Sequence, residues 1–199
     1  MKLTLRPPNR RLARPLETAR FVLRPLGVIA TLRVTDSWRH DADILTGFYF
    51  SPEPRSRLRW LHKGPMPNNV DRFAFAIVPK GESAPIGVHT LRLRKGGFAS
   101  NGIGIHDRAW WGADVVVEVR AALMRHVFAV GAADTFLGLV RERNLNSIFV
   151  YRRMGYAYKG LTGRPKRNPA TGEVADLMRF EMPRACWEAG PFGRGDDGR

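Results

Sequence analysis

The sequence predicts an α/β fold, and three observations support it. Apolar runs of strand length recur at Phe73–Val78, Ile86–Arg94, Gly102–His106 and Phe136–Val140. Between the last two, apolar residues fall at 115, 116, 119, 122, 123, 127 and 130, the spacing of one helix face. Turn-forming clusters separate the segments, among them residues 64–69, Pro79–Glu82 and Lys95–Gly97. The chain is organised around residues 101–156, where a strand, a glycine-containing turn and a helix follow one another. A second strand, a turn and a short helix ending at Gly155 complete that stretch. A turn of this kind aims backbone N–H groups at an anionic ligand.

In chain order, residues 1–15 are rich in arginine and proline without periodicity and read as a mobile arm. Phe21–Leu23 is a short strand closed by Arg24-Pro25, because the residue before proline leans extended. Val28–Val34 fits strand or helix, and Thr35, Asp36 or Ser37 is placed to cap a helix from about Trp38. Ser51 and Pro52 read as the cap and first position of a helix running to Lys63, with Leu58 and Leu61 on one face. In Ile86–Arg94, Leu91 and Leu93 alternate with Arg92 and Arg94.

Gly102-x-Gly104 is not a dinucleotide fingerprint, since its glycines lie inside a strand and Asp107 stands where the third belongs. Glycines there fit a bulge or a close backbone approach. The helix Val115–Val130 opens on a poor helix-forming run, so packing must hold its first turn; Arg120 and Arg125 lie off its apolar stripe. Asn146–Met154 is a helix stopped by Gly155. Residues 159–172 read as a long surface loop, Ala175–Met182 as the last strand, and the chain from Glu188 as a disordered tail. The expected organisation is thus an arm at 1–15, one domain at 16–187 and a tail at 188–199.

The composition is that of a globular chain, and no apolar run approaches the roughly 18 residues needed to span a bilayer, so no membrane is expected. The N-terminus lacks the apolar segment of a secretory signal, and the single cysteine, Cys186, suits a reducing compartment; a cytoplasmic location is expected. The net charge is +15, and six of the 33 basic residues are lysines, leaving 33 − 6 = 27 arginines. Such charge attracts nucleic acid, acidic partners or phosphates, or simply solvates the surface. The basic clusters are scattered, and no nucleic-acid-binding motif is present, so nucleic acid or the ribosome stays a partner without a motif. His106-Asp107 has no further ligands at metal spacing, and no metal is expected.

Asn144-x-x-Ser147-x-x-x-Tyr151-x-x-x-Gly155-Tyr156 resembles the signature Asn-x-x-Ser/Ala-x-x-x-Tyr-x-x-x-Gly-Phe/Tyr of the GNAT superfamily of acyl-CoA-dependent N-acetyltransferases. Leu16–Leu26 and Asp176–Met182 with Trp187 look like the first and last strands of its ribosomal-protein alanine acetyltransferase subgroup. The family turn Gln/Arg-x-x-Gly-x-Gly/Ala aligns with Trp111-Gly112-Ala113-Asp114-Val115-Val116, which departs from it at Trp111, Asp114 and Val116. The resemblance covers residues 16–187. It implies a mixed, twisted central sheet flanked by helices.

The resemblance also implies acetyl-CoA as co-substrate and a direct transfer to a primary amine of a small molecule or a protein N-terminus. Tyr151 would protonate the departing sulfur, or pack as a core tyrosine. Asn144 and Ser147 would hold the pantetheine arm, with a helix cap as the other reading of Asn144. The arm would lie in a gap beside the Gly102–His106 strand, at Ile105, and residues 111–116 would receive the pyrophosphate. Asp114 at that turn either caps the helix or opposes the phosphates. Ser100 and Asn101 stand where the subgroup has a glutamate base, leaving His106 as the nearest base candidate or a local hydrogen-bonding residue. Trp38, His40, Asp41, Tyr49 and Phe50 are acceptor-side candidates or core and surface residues. A catalytically inactive binding module is the alternative function, and a homodimer stays open.

Overall fold

The computed structural model describes residues 9–194 apart from 49, 164, 168–171 and 173. Its strands are β1 (Leu16–Glu17), β2 (Phe21–Leu26), β3 (Arg72–Pro79), β4 (Gly87–Arg94), β5 (Phe98–Ile105), β6 (Thr135–Val140), β7 (Ala157–Leu161), β8 (Lys166–Arg167), β9 (Val174–Ala175) and β10 (Met178–Pro183). The helices are α1 (Val28–Val34), α2 (Ala42–Gly47), α3 (Arg57–Lys63), α4 (Val115–Ala129), α5 (Leu145–Arg153) and α6 (Arg184–Ala189). Eight strands form one sheet in the order β1-β2-β3-β4-β5-β6-β10-β7, and β8 pairs with β9 separately. Every pairing is antiparallel except β5 with β6. The α/β class and the mixed sheet are as expected.

Strand alternation builds a layer on each face. Phe73, Phe75 and Ile77 of β3 join the core formed with α4, while Ala74 between them faces the cluster of Trp38, Ile44, Leu45 and Trp60. Large residues on one face and small ones on the other leave room for two buried indoles. The β-branched start of α4 is held by packing, with Val115 and Val117 both buried.

Several local expectations are resolved or corrected. Val28–Val34 is helical; the Thr31 and Thr35 hydroxyls donate to the carbonyls of Gly27 and Thr31, four residues back. Asp36 caps nothing and instead accepts from Arg39 and Arg57. The helix expected from Ser51 begins only at Arg57, capped by Ser56; Pro54 disfavours the helical region for the residue before it and lacks an N–H. Within the expected arm, Leu12 is fully buried in the core and the Asn9 N–H donates to the Asn69 carbonyl. The expected loop after Lys159 carries the end of β7 and all of β8, and the last main-sheet strand starts at Met178. In place of a disordered tail from Glu188, residues 188–194 form the end of α6 and turns, with Phe192 stacked on buried Trp187 at 6.3 Å. Residues 1–8 of the arm and 195–199 of the tail lie outside the described residues.

Candidate functional site

The sheet parts in its middle. β5 and β6 pair only through Phe98–Thr135, Ala99–Phe136 and Ser100–Leu137, and beyond Ser100 the two strands diverge. Residues 101–105 keep β4 as their partner on one side, and the other edge faces a cavity of about 670 Å³. That edge presents strand N–H and C=O groups to whatever enters. The opposite wall is Leu139, Val140 and α5, the start of α4 closes one end, and Asp43, Ile44, Gly47 and Phe48 of the α2 region line it from the other face of the sheet.

Most of the sequence candidates meet there. Ile105, Trp111, Gly112, Asp114, Val115, Val116, Asn144, Ser147 and Tyr151 line the cavity, whereas Ala113 and His106 do not. The Trp111 indole donates to the Ile105 carbonyl at 3.1 Å, with the Arg108 guanidinium 4.9 Å from its ring, so it braces the end of β5. Asn144 accepts from the Ser147 N–H at 3.1 Å and caps α5. The cap uses its carbonyl oxygen, leaving the amide nitrogen as a donor beside the cavity.

Asp114 is the unusual residue of the turn. Its φ of +57° lies in the left-handed region, where glycine carries no penalty. The side chain does not cap α4; it takes a forked contact from Arg153 at 2.5 and 3.1 Å. Arg153 holds this carboxyl below its ordinary pKa. The pair is exposed, so it adds little stability, but it places a guanidinium at the mouth of the cavity.

Tyr151 is fixed on every side. Its ring stacks on Phe180 at 5.3 Å, tilts against Tyr156 at 5.0 Å and carries the Arg120 guanidinium 4.8 Å from its centroid. Gly138 of β6 makes room for it, since a Cβ there would fall 2.6 Å from the ring carbon bearing the hydroxyl. His106 is half-buried, its pKa lowered by that burial, and its Nδ1 accepts from the Trp38 indole at 3.1 Å. It joins the end of β5 to the helical layer.

Of the acceptor-side candidates, Trp38 is fully buried, His40 is exposed, Asp41 caps α2 and Phe50 packs edge-on to Trp60. Tyr49 lies outside the described residues. The residues that do line this side are Asp43, Ile44, Gly47 and Phe48. Their i, i+4 spacing marks one helix face, a signal present in the sequence. Arg120 was also missed: it is 5% exposed and lines the cavity from the buried side of α4. Its signal was a charge flanked by Val119 and Ala121 in a mostly apolar helix. Among the described residues no group of three or more His, Cys, Asp or Glu could hold a metal, and no helix is long and apolar enough to cross a membrane.

A family model for the acetyltransferase (GNAT) domain matches residues 20–157. No curated protein matches the sequence. Among solved structures, a spermidine N-acetyltransferase from Vibrio cholerae in complex with CoA and spermine is similar, with a TM-score of 0.69 and 16% identity over 84% of this chain and 97% of that one. The ribosomal L7/L12 α-N-protein acetyltransferase RimL, in complex with coenzyme A, is similar with a TM-score of 0.70 and 16% identity over 86% and 99%. A GNAT-family acetyltransferase from Bacillus anthracis gives 0.66 and 13% over 85% and 98%. Identities this low show the fold alone; the match over most of the chain shows the family. The chain belongs to the GNAT acetyltransferase family.

Proposed function

We propose that the chain transfers an acetyl group from acetyl-CoA directly to a primary amine. The observation that carries this reading is the parting of β5 from β6 beyond Ser100, which leaves a strand edge facing a cavity that Tyr151 lines. An amide-bearing pantetheine arm fits such an edge, because its amides supply the hydrogen bonds a missing strand would make. The pyrophosphate end fits less well: Asp114 opposes it, and Arg153 offsets that charge. Asn144 donates from its amide nitrogen, the wall of β5 and α5 orients the thioester, and Tyr151 gives a proton to the departing sulfur. The acceptor enters past Asp43, Ile44 and Phe48 on the opposite face. A polyamine, as in the complex from V. cholerae, and a protein N-terminus, as for RimL, are the acceptor classes to try first.

The left-handed Asp114 and the Arg153 clamp favour a second reading, in which the turn is closed and the chain is a binding module. A thiol-release assay with acetyl-CoA and a panel of polyamines, amino acids and peptides separates the two. Amine-dependent thiol release with a matching acetylated product is expected. Thiol release at the hydrolytic background with every amine would contradict the enzymatic reading.

A further inference from the structure

Arg120 is a buried cation without a countercharge. It projects from α4, is 5% exposed, and donates through Nε to the Asn101 side chain at 3.1 Å. Its Nη1 is buried and makes no hydrogen bond among the described residues. The two carboxylates lining the same cavity are committed elsewhere, Asp43 to Arg108 at 2.6 Å and Asp114 to Arg153 at 2.5 Å. The other ionisable groups beside Arg120 give it no charge. His89 is fully buried with neither ring nitrogen bonded and is held neutral by burial, then by Arg120; Tyr156 points its hydroxyl at the Met124 sulfur. Burying an unpaired cation is costly, and the field of such a charge is screened far less than that of an exposed one.

We infer that Arg120 is a fixed positive charge on the α4 side of the cavity whose field, acting across the Tyr151 ring, stabilises the thiolate released in acetyl transfer. The inference rests on the acetyl-CoA reading above. Three observations favour the thiolate over an acceptor carboxylate. Arg120 lies on the α4–α5 face, its guanidinium sits against the Tyr151 ring, and the acceptor-side residues Ile44 and Phe48 belong to the opposite face. In the transfer, the amine nitrogen bonds the acetyl carbon and the carbon–sulfur bond breaks with its electron pair going to sulfur. Tyr151 then gives sulfur its proton, and the proton shed by the acetylated nitrogen passes through solvent to restore the phenol. The thioester is neutral and the leaving sulfur is not, so the field of Arg120 acts where charge develops. Arg120 is a positioning residue here, since it acts on the sulfur across the Tyr151 ring.

The test is an ultraviolet titration of the thiol of CoA bound to the full chain, with binding measured separately by calorimetry. In the wild type the bound thiol is expected to ionise at lower pH than free CoA. In Arg120→Gln its ionisation constant should fall about tenfold, and Arg120→Lys should restore most of the difference. CoA that binds both wild type and Arg120→Gln with the same thiol titration overturns the inference while leaving the donor site standing. Should the glutamine variant not fold, the wild type alone decides: a bound thiol that ionises no more readily than free CoA overturns it. An absence of CoA binding overturns the acetyl-CoA reading, and this inference with it.

Discussion

Replacing Tyr151 with phenylalanine is expected to lower kcat for acetyl transfer by about 10²-fold or more, with acetyl-CoA affinity changed by less than about threefold. Phenylalanine keeps the stack on Phe180, the tilt against Tyr156, the place under Arg120 and the clearance over Gly138. Only the hydroxyl is lost, and Tyr151 makes no hydrogen bond that fixes another element among the described residues. The fold and the donor site should therefore survive while the acid is removed. Steady-state kinetics with a thermal unfolding control checks this. A kcat within about threefold of wild type would show that the sulfur obtains its proton elsewhere.

Trp38→Ala should cost about 3–5 kcal/mol of stability, read from denaturant unfolding. Trp38 is fully buried, stacks on Phe48 at 5.5 Å and donates to His106 at 3.1 Å. It also fills the space kept open by Gly104, where a Cβ would lie 2.5 Å from the indole. Its removal leaves a cavity against a strand that has no side chain to collapse into it, and a half-buried imidazole without its donor. Because Phe48 lines the acceptor side, the acceptor KM should rise as well. A loss below about 1 kcal/mol would mean that the α1–α3 layer repacks freely.

The class of fold and most of the cavity were readable from the chain because they rest on periodicity and on one spaced motif. Alternating strands and the helical stripe after residue 115 name their own elements, and Asn144, Ser147 and Tyr151 share one helix face by spacing alone. What was not readable depends on contacts between distant segments. Nothing local says that Asp114 turns from the helix it precedes to meet Arg153, 39 residues on. Nor does an arginine in α4 announce that it is buried against Asn101, 19 residues earlier. The region 27–63 was hard for a different reason. Its helices are short, and their caps compete: Pro52 and Pro54 suggest a start that Ser56 provides. Leu12 and Phe192 were hidden among arginines, prolines and glycines, where one apolar residue carries no period.

The most direct test of the account is whether acetyl-CoA binds. Thermal unfolding with the ligand at about 100 times its dissociation constant should add roughly 2.7 kcal/mol, or about 5–10 °C in Tm for a chain of this size. That rise is expected for the wild type, with a rise at least as large for Asp114→Gly, which removes both the opposing carboxylate and the left-handed strain. A rise in the variant alone would mean that the Asp114–Arg153 clamp closes the site. No shift in either protein would contradict the donor site altogether.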